Sequence, residues 1–303
     1  MREGYERKDS IHMKKTYMYQ IAQQSHTQMM SYLIVSRDGS IIIIDGGTKS
    51  DADYLLNLIE KVSGCKKPHI SAWFLTHAHS DHINAFLEMF RNKSTYFSID
   101  RIYHHFPDPH FIRENEPNSY HTIKDFVELL PAFQDKITVV EKGDIVTVDN
   151  ISFEVLYTTD PSFTQNAVNN SSTVIRMIAE DVSVLFLGDL GIEGGEKLIR
   201  TNSIDKIKSD IVALAHHGQS GVGFEVYEAI SPSLAMWCTP LWLWENNWGS
   251  KGAGTGPWRI DETRSWLDKL NVKDHIIAKD GTYKIVIENG SYRTELYDSY
   301  AAK

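Results

Sequence analysis

Three histidines and one aspartate lie close together in residues 76–82, which read THAHSDH. Imidazole nitrogens and carboxylate oxygens are ligands that a borderline divalent cation such as zinc prefers in proteins. One ion cannot bind all four side chains and still keep a coordination position open for substrate or water. The alternative is a solvated, histidine-rich turn, or core histidines that only satisfy hydrogen bonds. The mix of ligand types at this spacing favours a site for two metal ions.

Two predicted elements position this segment. Residues 70–75 are apolar and predict a short buried strand, and residues 83–90 predict the helix that follows. The ligands therefore lie in a strand-to-helix turn. Asp81 falls near the start of the helix, where a carboxylate is electrostatically favoured.

The rest of the chain alternates predicted strands and helices in two halves. Residues 32–35 and 41–44 flank Arg37-Asp38-Gly39, which indicates a hairpin, and a helix is predicted over about 51–62. The second half has the same succession, with strands at 151–156, 172–178 and 182–187, a helix near 195–201 and a strand at 211–215. This pattern predicts an α/β fold in which two sheets pack face to face with helices outside.

Polar side chains stand at the ends of several apolar strands. Asp45 is followed by two glycines, Asp189 follows Gly188, and His216 is the first of a histidine pair. In α/β proteins the active-site residues lie at the carboxyl ends of strands, so we expect these residues and His77 around one cleft. Taken singly, each aspartate has an ordinary alternative, as part of a turn or as a helix cap.

Length and composition limit the remaining choices. The chain has 303 residues without a low-complexity linker, which favours one domain over residues 1–303 with residues 1–16 as an approximate N-terminal extension. A formal net charge of −9 argues against a broad surface for long duplex nucleic acid. Two cysteines, Cys65 and Cys238, provide no disulfide framework and suggest the cytoplasm. The sequence predicts no secretion signal and no membrane span, and it indicates no oligomeric state.

The order of these motifs resembles that of the metallo-β-lactamase fold superfamily of metal-dependent hydrolases. The matching pieces are Asp45, the signature at residues 77–82, Asp189, and the histidine pair before Gly218, and together they cover nearly the whole chain. The resemblance implies a four-layer αββα sandwich of two mixed sheets with a binuclear site at one edge.

The resemblance also implies a role for each of these residues. It gives the first ion His77 and His79, the second ion Asp81, His82 and His216 or His217, and both ions Asp189 as a bridge. We take His216 as the ligand, and His217, Asp81 and Asp189 as candidates for proton transfer. Asp45 is expected to orient a ligand.

One position departs from the superfamily pattern. A further histidine usually reaches the first ion from the segment before the strand that leads to the bridging aspartate. Here residues 169–174 read NNSSTV, so an asparagine (Asn169 or Asn170) or a serine stands in its place. An amide oxygen is a weaker and harder ligand than imidazole, so we predict two zinc ions with manganese as a competitor.

The same asparagines, with the histidine pair at residues 216–217, resemble the subgroup that includes the hydrolase-like domain of ComEC competence proteins. Members of that subgroup are linked to cleavage of phosphodiesters or nucleic acids. Gln219 departs from the serine that usually follows the glycine.

The predicted activity is hydrolysis of a phosphodiester bond in a small molecule or short nucleotide. Two ions would make a shared water acidic enough to supply hydroxide near neutral pH. Lactone, amide or thioester bonds are the alternative substrates on the same scaffold. A redox enzyme is disfavoured, because diiron flavoproteins of the superfamily usually carry glutamate where this chain has His79. A non-catalytic metal-binding or interaction protein is disfavoured because nearly all ligands are present.

Aromatic side chains predict walls for the cleft. The segment 236–258 combines several glycines with five tryptophans: Trp237, Trp242, Trp244, Trp248 and Trp258. Such a segment suits a lid that stacks on a ring, or a loop whose indoles pack on the core. Residues 103–110 are a second candidate wall or a surface loop, and His275 is interpreted as structural.

Overall fold

The computed structural model describes residues 15–299, and of Ser250 only the backbone. Most of the predicted N-terminal extension lies outside the described residues, and Thr16 already begins the first strand. Within the described part, the eight strands of the first sheet are β1 (Thr16–Gln20), β2 (Ser31–Val35), β3 (Ile41–Asp45), β4 (His69–Leu75), β5 (Ser98–His104), β6 (Ile137–Val139), β14 (Gly281–Glu288) and β15 (Ser291–Ser299). The seven of the second sheet are β7 (Ile145–Val148), β8 (Ile151–Tyr157), β9 (Val174–Ala179), β10 (Val182–Phe186), β11 (Ile211–Ala213), β12 (Leu234–Trp237) and β13 (Asp274–Ile277).

Helices connect these strands. They are α1 (Ala52–Ser63), α2 (Ser80–Asn92), α3 (Pro109–Asn115), α4 (Tyr120–Leu129), α5 (Ile192–Thr201), α6 (Ile204–Ile207), α7 (Phe224–Ile230), α8 (Leu241–Trp244) and α9 (Ile260–Lys269). Short 3₁₀ turns include Asn169–Ser171 and Ala215–Gly218, which carry residues of the predicted site. No helix in the described part is long and apolar enough to cross a membrane.

Both sheets are mixed. The first runs in the order β15-β14-β1-β2-β3-β4-β5-β6 and is parallel from β3 to β6. The second runs β13-β12-β11-β10-β9-β8-β7 and is parallel from β10 to β13. In each half, an antiparallel hairpin (β2–β3 or β9–β10) is followed by a helix and a parallel strand. The two halves predicted from the pattern are therefore present.

Three layers of apolar side chains hold the sheets and helices together. Between the sheets, the ring centroids of Tyr32 and Phe186 lie 5.0 Å apart and those of Phe74 and Phe153 lie 4.8 Å apart. Outside the first sheet, Trp73 meets Phe86 of α2 with ring centroids 5.1 Å apart. Outside the second sheet, apolar residues of β10, β11 and β12 pack on those of α5, α7 and α9. The predicted four-layer αββα sandwich is confirmed.

The element boundaries differ from the prediction where the chain reaches the cleft. The strand predicted over 211–215 ends at Ala213, because residues 215–218 turn with His216 at φ 51° and His217 at φ 57°. The strand predicted from residue 172 begins at Val174, after the turn at Asn169–Ser171. Leu214 and Ala215 are buried as strand residues would be, so the hydrophobic pattern does not reveal the turn that follows β11.

Gly218 generates a prediction about this turn. Its φ is +83°, and a Cβ placed on it would lie 2.4 Å from the Trp237 ring. We expect Gly218→Ala to lower the free energy of unfolding of the metal-free protein by about 2–4 kcal/mol, because strain and overpacking add. Urea denaturation measures this change. The control is Gly254→Ala, at φ +75° but with open space around the Cβ, which should cost only about 1 kcal/mol. Equal losses in both variants would contradict the packing argument.

Candidate metal centre

The predicted site residues come from both sheets and meet at one edge of the sandwich. Asp45 ends β3, and the four residues of the signature occupy the connection from β4 to α2 and the first turn of that helix. Asp189 follows β10, and the histidine pair follows β11. These are carboxyl ends of parallel strands, where α/β folds leave room for a site.

A first group of ligand-type atoms comes from His77, His79 and Asp189, all within 4.8 Å of one another. His77 Nε2 lies 3.1 Å from His79 Nδ1 and 3.8 Å from Asp189 Oδ2. His77 and Asp189 are buried, and His79 is partly exposed. Three protein ligands with an open side are typical of a catalytic ion.

A second group comes from Asp81, His82, Asp189 and His217, whose ligand atoms also lie within 4.8 Å of one another. His82 Nε2 is 3.1 Å from Asp189 Oδ1. His217 Nε2 is 3.2 Å from Asp81 Oδ2 and 3.6 Å from Asp189 Oδ2. Asp189 belongs to both groups, so its two oxygens face two sets of ligands.

The atoms that face the centre are arranged to bind a cation rather than to form hydrogen bonds with one another. His82 Nε2, His217 Nε2 and Asp189 Oδ1 are buried and have no hydrogen-bond partner among the described residues. Their contacts are close but are not aligned for hydrogen bonding. A buried polar atom without a partner costs about 1–3 kcal/mol. Divalent ions between these atoms would satisfy them, so the residues present fit two metal ions.

Asp45 lies behind two of the histidines. Its Oδ2 accepts from His82 Nδ1 at 2.7 Å and from Thr76 Oγ1 at 2.8 Å, and its Oδ1 accepts from Thr76 N at 2.8 Å. Because the Thr76 hydroxyl donates to Asp45, it accepts from His77 Nδ1 at 3.1 Å. When the rings are neutral, this network leaves Nε2 of both His77 and His82 with its lone pair toward the centre. Asp45 itself is held at φ 55°, a strained conformation for a residue other than glycine.

Hydrogen-bond acceptors also fix the tautomers of His79 and His217. His79 Nε2 lies 2.9 Å from Glu116 Oε1, so Nδ1 carries the lone pair that faces His77. His217 Nδ1 donates to the carbonyl oxygen of Cys238 at 3.0 Å, which leaves Nε2 free. Two lone pairs at 3.1 Å, on His77 and His79, repel each other unless a proton or a metal ion lies between them.

Glu116 was not predicted from the sequence. It also accepts from Ser119 Oγ at 2.7 Å and from Val168 N at 3.0 Å. Burial raises the pKa of Glu116, but His79, Val168 and Ser119 outweigh burial and lower it to about 2. Nothing in the sequence distinguishes this glutamate from Glu114, because its contacts to His79 and Val168 are 37 and 52 residues away in the chain.

The two members of the histidine pair lie in different places. His217 is completely buried and belongs to the second ligand group. The His216 side chain is 22 % exposed, with Nε2 3.9 Å from Asp189 Oδ2, and belongs to neither group found among the described residues. From the sequence, His216 was taken as the ligand and His217 as the free histidine. In the structure, the ligand atom that lies in the second group belongs to His217.

The two asparagines also differ. Asn170 Oδ1 accepts from Gly194 N at 3.2 Å, and its Nδ2 donates to Gln165 O and to Glu193 Oε2, so its amide joins the loop to α5. Asn169 Nδ2 donates to Asn166 Oδ1 at 2.9 Å, while Asn169 Oδ1 is buried without a partner among the described residues. The segment carrying Asn169 is held beside the first group, because Val168 N contacts Glu116 and Ser172 Oγ accepts from Asp189 N.

The charges of the cluster depend on the carboxylates. Burial acts to lower the pKa of His82, but Asp189 and Asp45 outweigh it and raise the pKa above its ordinary value. Burial, with His82 nearby, lowers the pKa of His77. Burial opposes ionisation of Asp189, yet His82, His217 and His216 hold its pKa well below the ordinary value. Without a metal, a proton on His82 therefore supplies positive charge between two carboxylates.

The predicted aromatic walls separate into two parts. Trp237 is fully buried, and Trp244 packs on it at 5.3 Å and on Arg264 at 3.9 Å, as the core-packing alternative requires. Trp242, Trp248 and Trp258 form a cluster toward the surface, where Trp248 is 50 % exposed. The loop between β1 and β2 connects this surface cluster to the second ligand group. Trp242 Nε1 donates to His26 O in that loop, and Gln28 Nε2 of the same loop donates to Asp81 Oδ2.

Other singled-out histidines have structural contacts. His275 Nδ1 accepts from Trp237 Nε1 at 3.0 Å, in line with its structural interpretation. In the candidate wall at residues 103–110, His104 packs between Phe106 and Phe126, and His105 contacts Val140 O at 2.7 Å. None of these histidines belongs to a ligand group found among residues 15–299.

Known proteins resemble this chain in family and in fold. The family model described as "Metallo-beta-lactamase superfamily" matches residues 27–250. The metallo-beta-lactamase fold protein YhfI from Bacillus subtilis is 12 % identical with a TM-score of 0.53, over 89 % of this chain and 99 % of that one. A mutant of the CmlA beta-hydroxylase is 12 % identical with a TM-score of 0.50, over 91 % of this chain and 54 % of that one.

A third solved structure is MEM-A1, a subclass B3 metallo-beta-lactamase from a soil metagenome library. It is 14 % identical with a TM-score of 0.43, over 66 % of this chain and 76 % of that one. No curated protein matches the sequence significantly. At these identities the likenesses to YhfI and to the CmlA mutant show the fold alone.

The raised pKa of His82 leads to a prediction about metal uptake. Its raised pKa means that zinc must displace a proton from the centre, so zinc affinity should rise with pH. Burial acts to lower the pKa of His217 in the same group, but Asp189 and Asp81 outweigh it and raise the pKa. We therefore expect release of about one to two protons as the second ligand group binds zinc. Calorimetric titrations at one pH, in two buffers with different ionisation enthalpies, measure the released protons. Identical heats in both buffers, with equal affinity at pH 6 and pH 8, would contradict this assignment of charge.

Proposed function

The chain belongs to the metallo-beta-lactamase superfamily, whose members are generally metallohydrolases, and we propose that it hydrolyses its substrate with two divalent ions at this centre. The fold alone does not decide the reaction, because a hydroxylase shares it. One observation carries the proposal: Asp189 is common to both ligand groups, and its Oδ1 and the facing Nε2 atoms of His82 and His217 are buried and unpartnered among the described residues.

The proposed ligands follow the two groups. His77 Nε2, His79 Nδ1 and Asp189 would hold the first ion. Asp81, His82 Nε2, His217 Nε2 and Asp189 would hold the second. We assign His217 rather than His216 as the ligand, because only His217 has a buried nitrogen without a partner facing the centre.

The ions, when bound, would supply an acidified water and positive charge that stabilises the charge developing on the attacked group. The chain's own residues perform the remaining tasks. Asp45 and Thr76 hold the ring nitrogens in place, and Gln28 holds the Asp81 carboxylate at 2.9 Å. His216 is partly exposed beside Asp189 and is the proposed proton donor to the leaving group.

Zinc is the proposed metal, with manganese as the competitor. Imidazole and carboxylate in both groups suit zinc. The first group has only two imidazoles among its three ligands, and Asn169 lies on the neighbouring segment with a free amide oxygen. An amide oxygen favours a harder ion, so the first position is where manganese would compete.

Phosphodiesters are the proposed substrates, and lactones, amides or thioesters are the alternative. Two ions neutralise charge on the non-bridging oxygens of a phosphoryl group, and the partly exposed imidazole of His216 is available as a donor. Asn170 and Ser172, which share the ComEC-like motif, are engaged with α5 and with Asp189 N. The subgroup resemblance thus rests on fewer free side chains than the motif suggests.

The surface tryptophans support a substrate that carries a ring. Trp248 stacks on Trp258 at 5.9 Å, and Lys251 Nζ lies 5.5 Å from the Trp248 ring centroid. A ring next to an anionic group matches an aromatic face beside a cation. A short nucleotide or another small aromatic diester fits this description.

A reducing, cytoplasmic location is also proposed, because Cys65 and Cys238 are both free.

The substrate proposal is tested by direct comparison of bonds. With zinc or manganese supplied, we expect bis(p-nitrophenyl) phosphate or a nucleotide diester to turn over faster than a β-lactam, a lactone or a glutathione thioester. Initial rates on equal protein give kcat/KM for each, and Asp189→Asn is the control that should lose both ions and all turnover. Lactone or thioester cleavage without diesterase activity under either metal would promote the alternative.

The two asparagines give a matched pair of variants. Asn169→His should raise zinc affinity at the first position, because it replaces a free amide oxygen by imidazole at a buried place beside that group. Asn170→His should instead lower the melting temperature, because it removes the contacts to Gly194 and Glu193 of α5. Zinc titration and thermal unfolding of both variants measure this. Tighter zinc binding in Asn170→His and not in Asn169→His would overturn the assignment.

A further inference from the structure

Glu116 uses both carboxylate oxygens to connect the first ligand group to the neighbouring loop. Oε1 lies 2.9 Å from His79 Nε2 and accepts from Ser119 Oγ at 2.7 Å. Oε2 accepts from Val168 N at 3.0 Å. The Glu116 side chain is 25 % exposed, so water competes little for these contacts. One side chain thus touches a metal-ligand candidate and the residue before Asn169.

We propose that Glu116 is a positioning residue for the first ion, which fixes the tautomer of His79 and holds the Val168–Asn169 backbone beside it. This inference rests on the proposed function. It gives a role to a residue outside both ligand groups.

The tautomer argument depends on which atoms can donate. A carboxylate only accepts hydrogen bonds, so the proton of neutral His79 must lie on Nε2, which faces Glu116. Nδ1 is then free to bind an ion together with His77 Nε2, 3.1 Å away. Without the acceptor, His79 could place its proton on Nδ1 and lose its ability to bind. A partner behind a metal-binding histidine also holds the ring orientation.

The loop argument depends on the second oxygen. Val168 N has Glu116 Oε2 as its acceptor, and Asn169 follows directly. A glutamine at position 116 has one oxygen and one amide group. Its oxygen can accept either from His79 and Ser119 or from Val168 N. In both cases the NH₂ group faces the remaining donor and cannot accept its hydrogen bond. Glu116→Gln therefore disturbs one of the two contacts with almost no change in size.

Zinc binding to the intact protein tests the inference. Competition with a chromophoric chelator gives the affinity of each ion, and elemental analysis gives the number bound. Glu116→Gln should weaken the first ion roughly 10–100-fold and leave the second unchanged. Glu114→Gln, an exposed neighbour paired with His110, is the control and should bind both ions like the parent. If Glu116→Gln does not fold, Ser119→Ala removes one hydroxyl from Glu116 Oε1 and should weaken the same ion.

A mutant cycle separates positioning from general damage. In a His79→Ala background, Glu116→Gln should cause a smaller loss than in the parent, because only the contact to Val168 N remains to be disturbed. Unchanged affinity in Glu116→Gln, equal weakening of both ions, or an undiminished loss in the His79→Ala background would each overturn the inference alone. A parent protein that binds fewer than two zinc ions would overturn the proposed function and the inference with it.

Discussion

A buried histidine can bind a metal ion only if one ring nitrogen keeps its lone pair, and this requirement governs the architecture of the centre. Each of the four histidines in the ligand groups has an acceptor or a hydroxyl behind it. Asp45 serves His82 directly and His77 through Thr76, Glu116 serves His79, and the Cys238 carbonyl serves His217. The nitrogens that remain converge on Asp189. The centre is therefore preorganised by residues outside the two ligand groups.

The backbone is strained where it delivers these side chains. Asp45, His216 and His217 all have φ between 51° and 57°, a region that residues other than glycine rarely occupy. Such strain is retained only where surrounding contacts determine the conformation. Asp45 makes four such contacts when the indole of Trp73, which donates to its carbonyl oxygen, is included, and the His217 carbonyl accepts from Thr239 Oγ1. The rigid sandwich behind the site supplies this support.

Asp189 makes the electrostatics of the two sheets interdependent. Its carboxylate is buried, ionised and close to histidines contributed by both sheets. A proton on His82 can partly balance this charge, but it leaves the facing nitrogens and oxygen without aligned partners. Divalent ions would satisfy both needs, so metal binding and stability of the site are expected to be linked. The same linkage would make the first ion sensitive to Glu116 and to the loop that it holds.

The sequence by itself determined the fold class, the two halves and the segment that carries the ligand motif. This was possible because hydrophobic periodicity and the spacing of residues 77–82 are local, and strand ends place such residues at one edge of a sheet. Local signals could not decide between His216 and His217, or between Asn169 and Asn170. Neighbouring residues in a turn point in different directions, and only packing against Cys238 or α5 distinguishes them. Glu116 and the separation of the tryptophans into a core pair and a surface cluster also depended on tertiary structure, because their contacts join segments far apart in the chain.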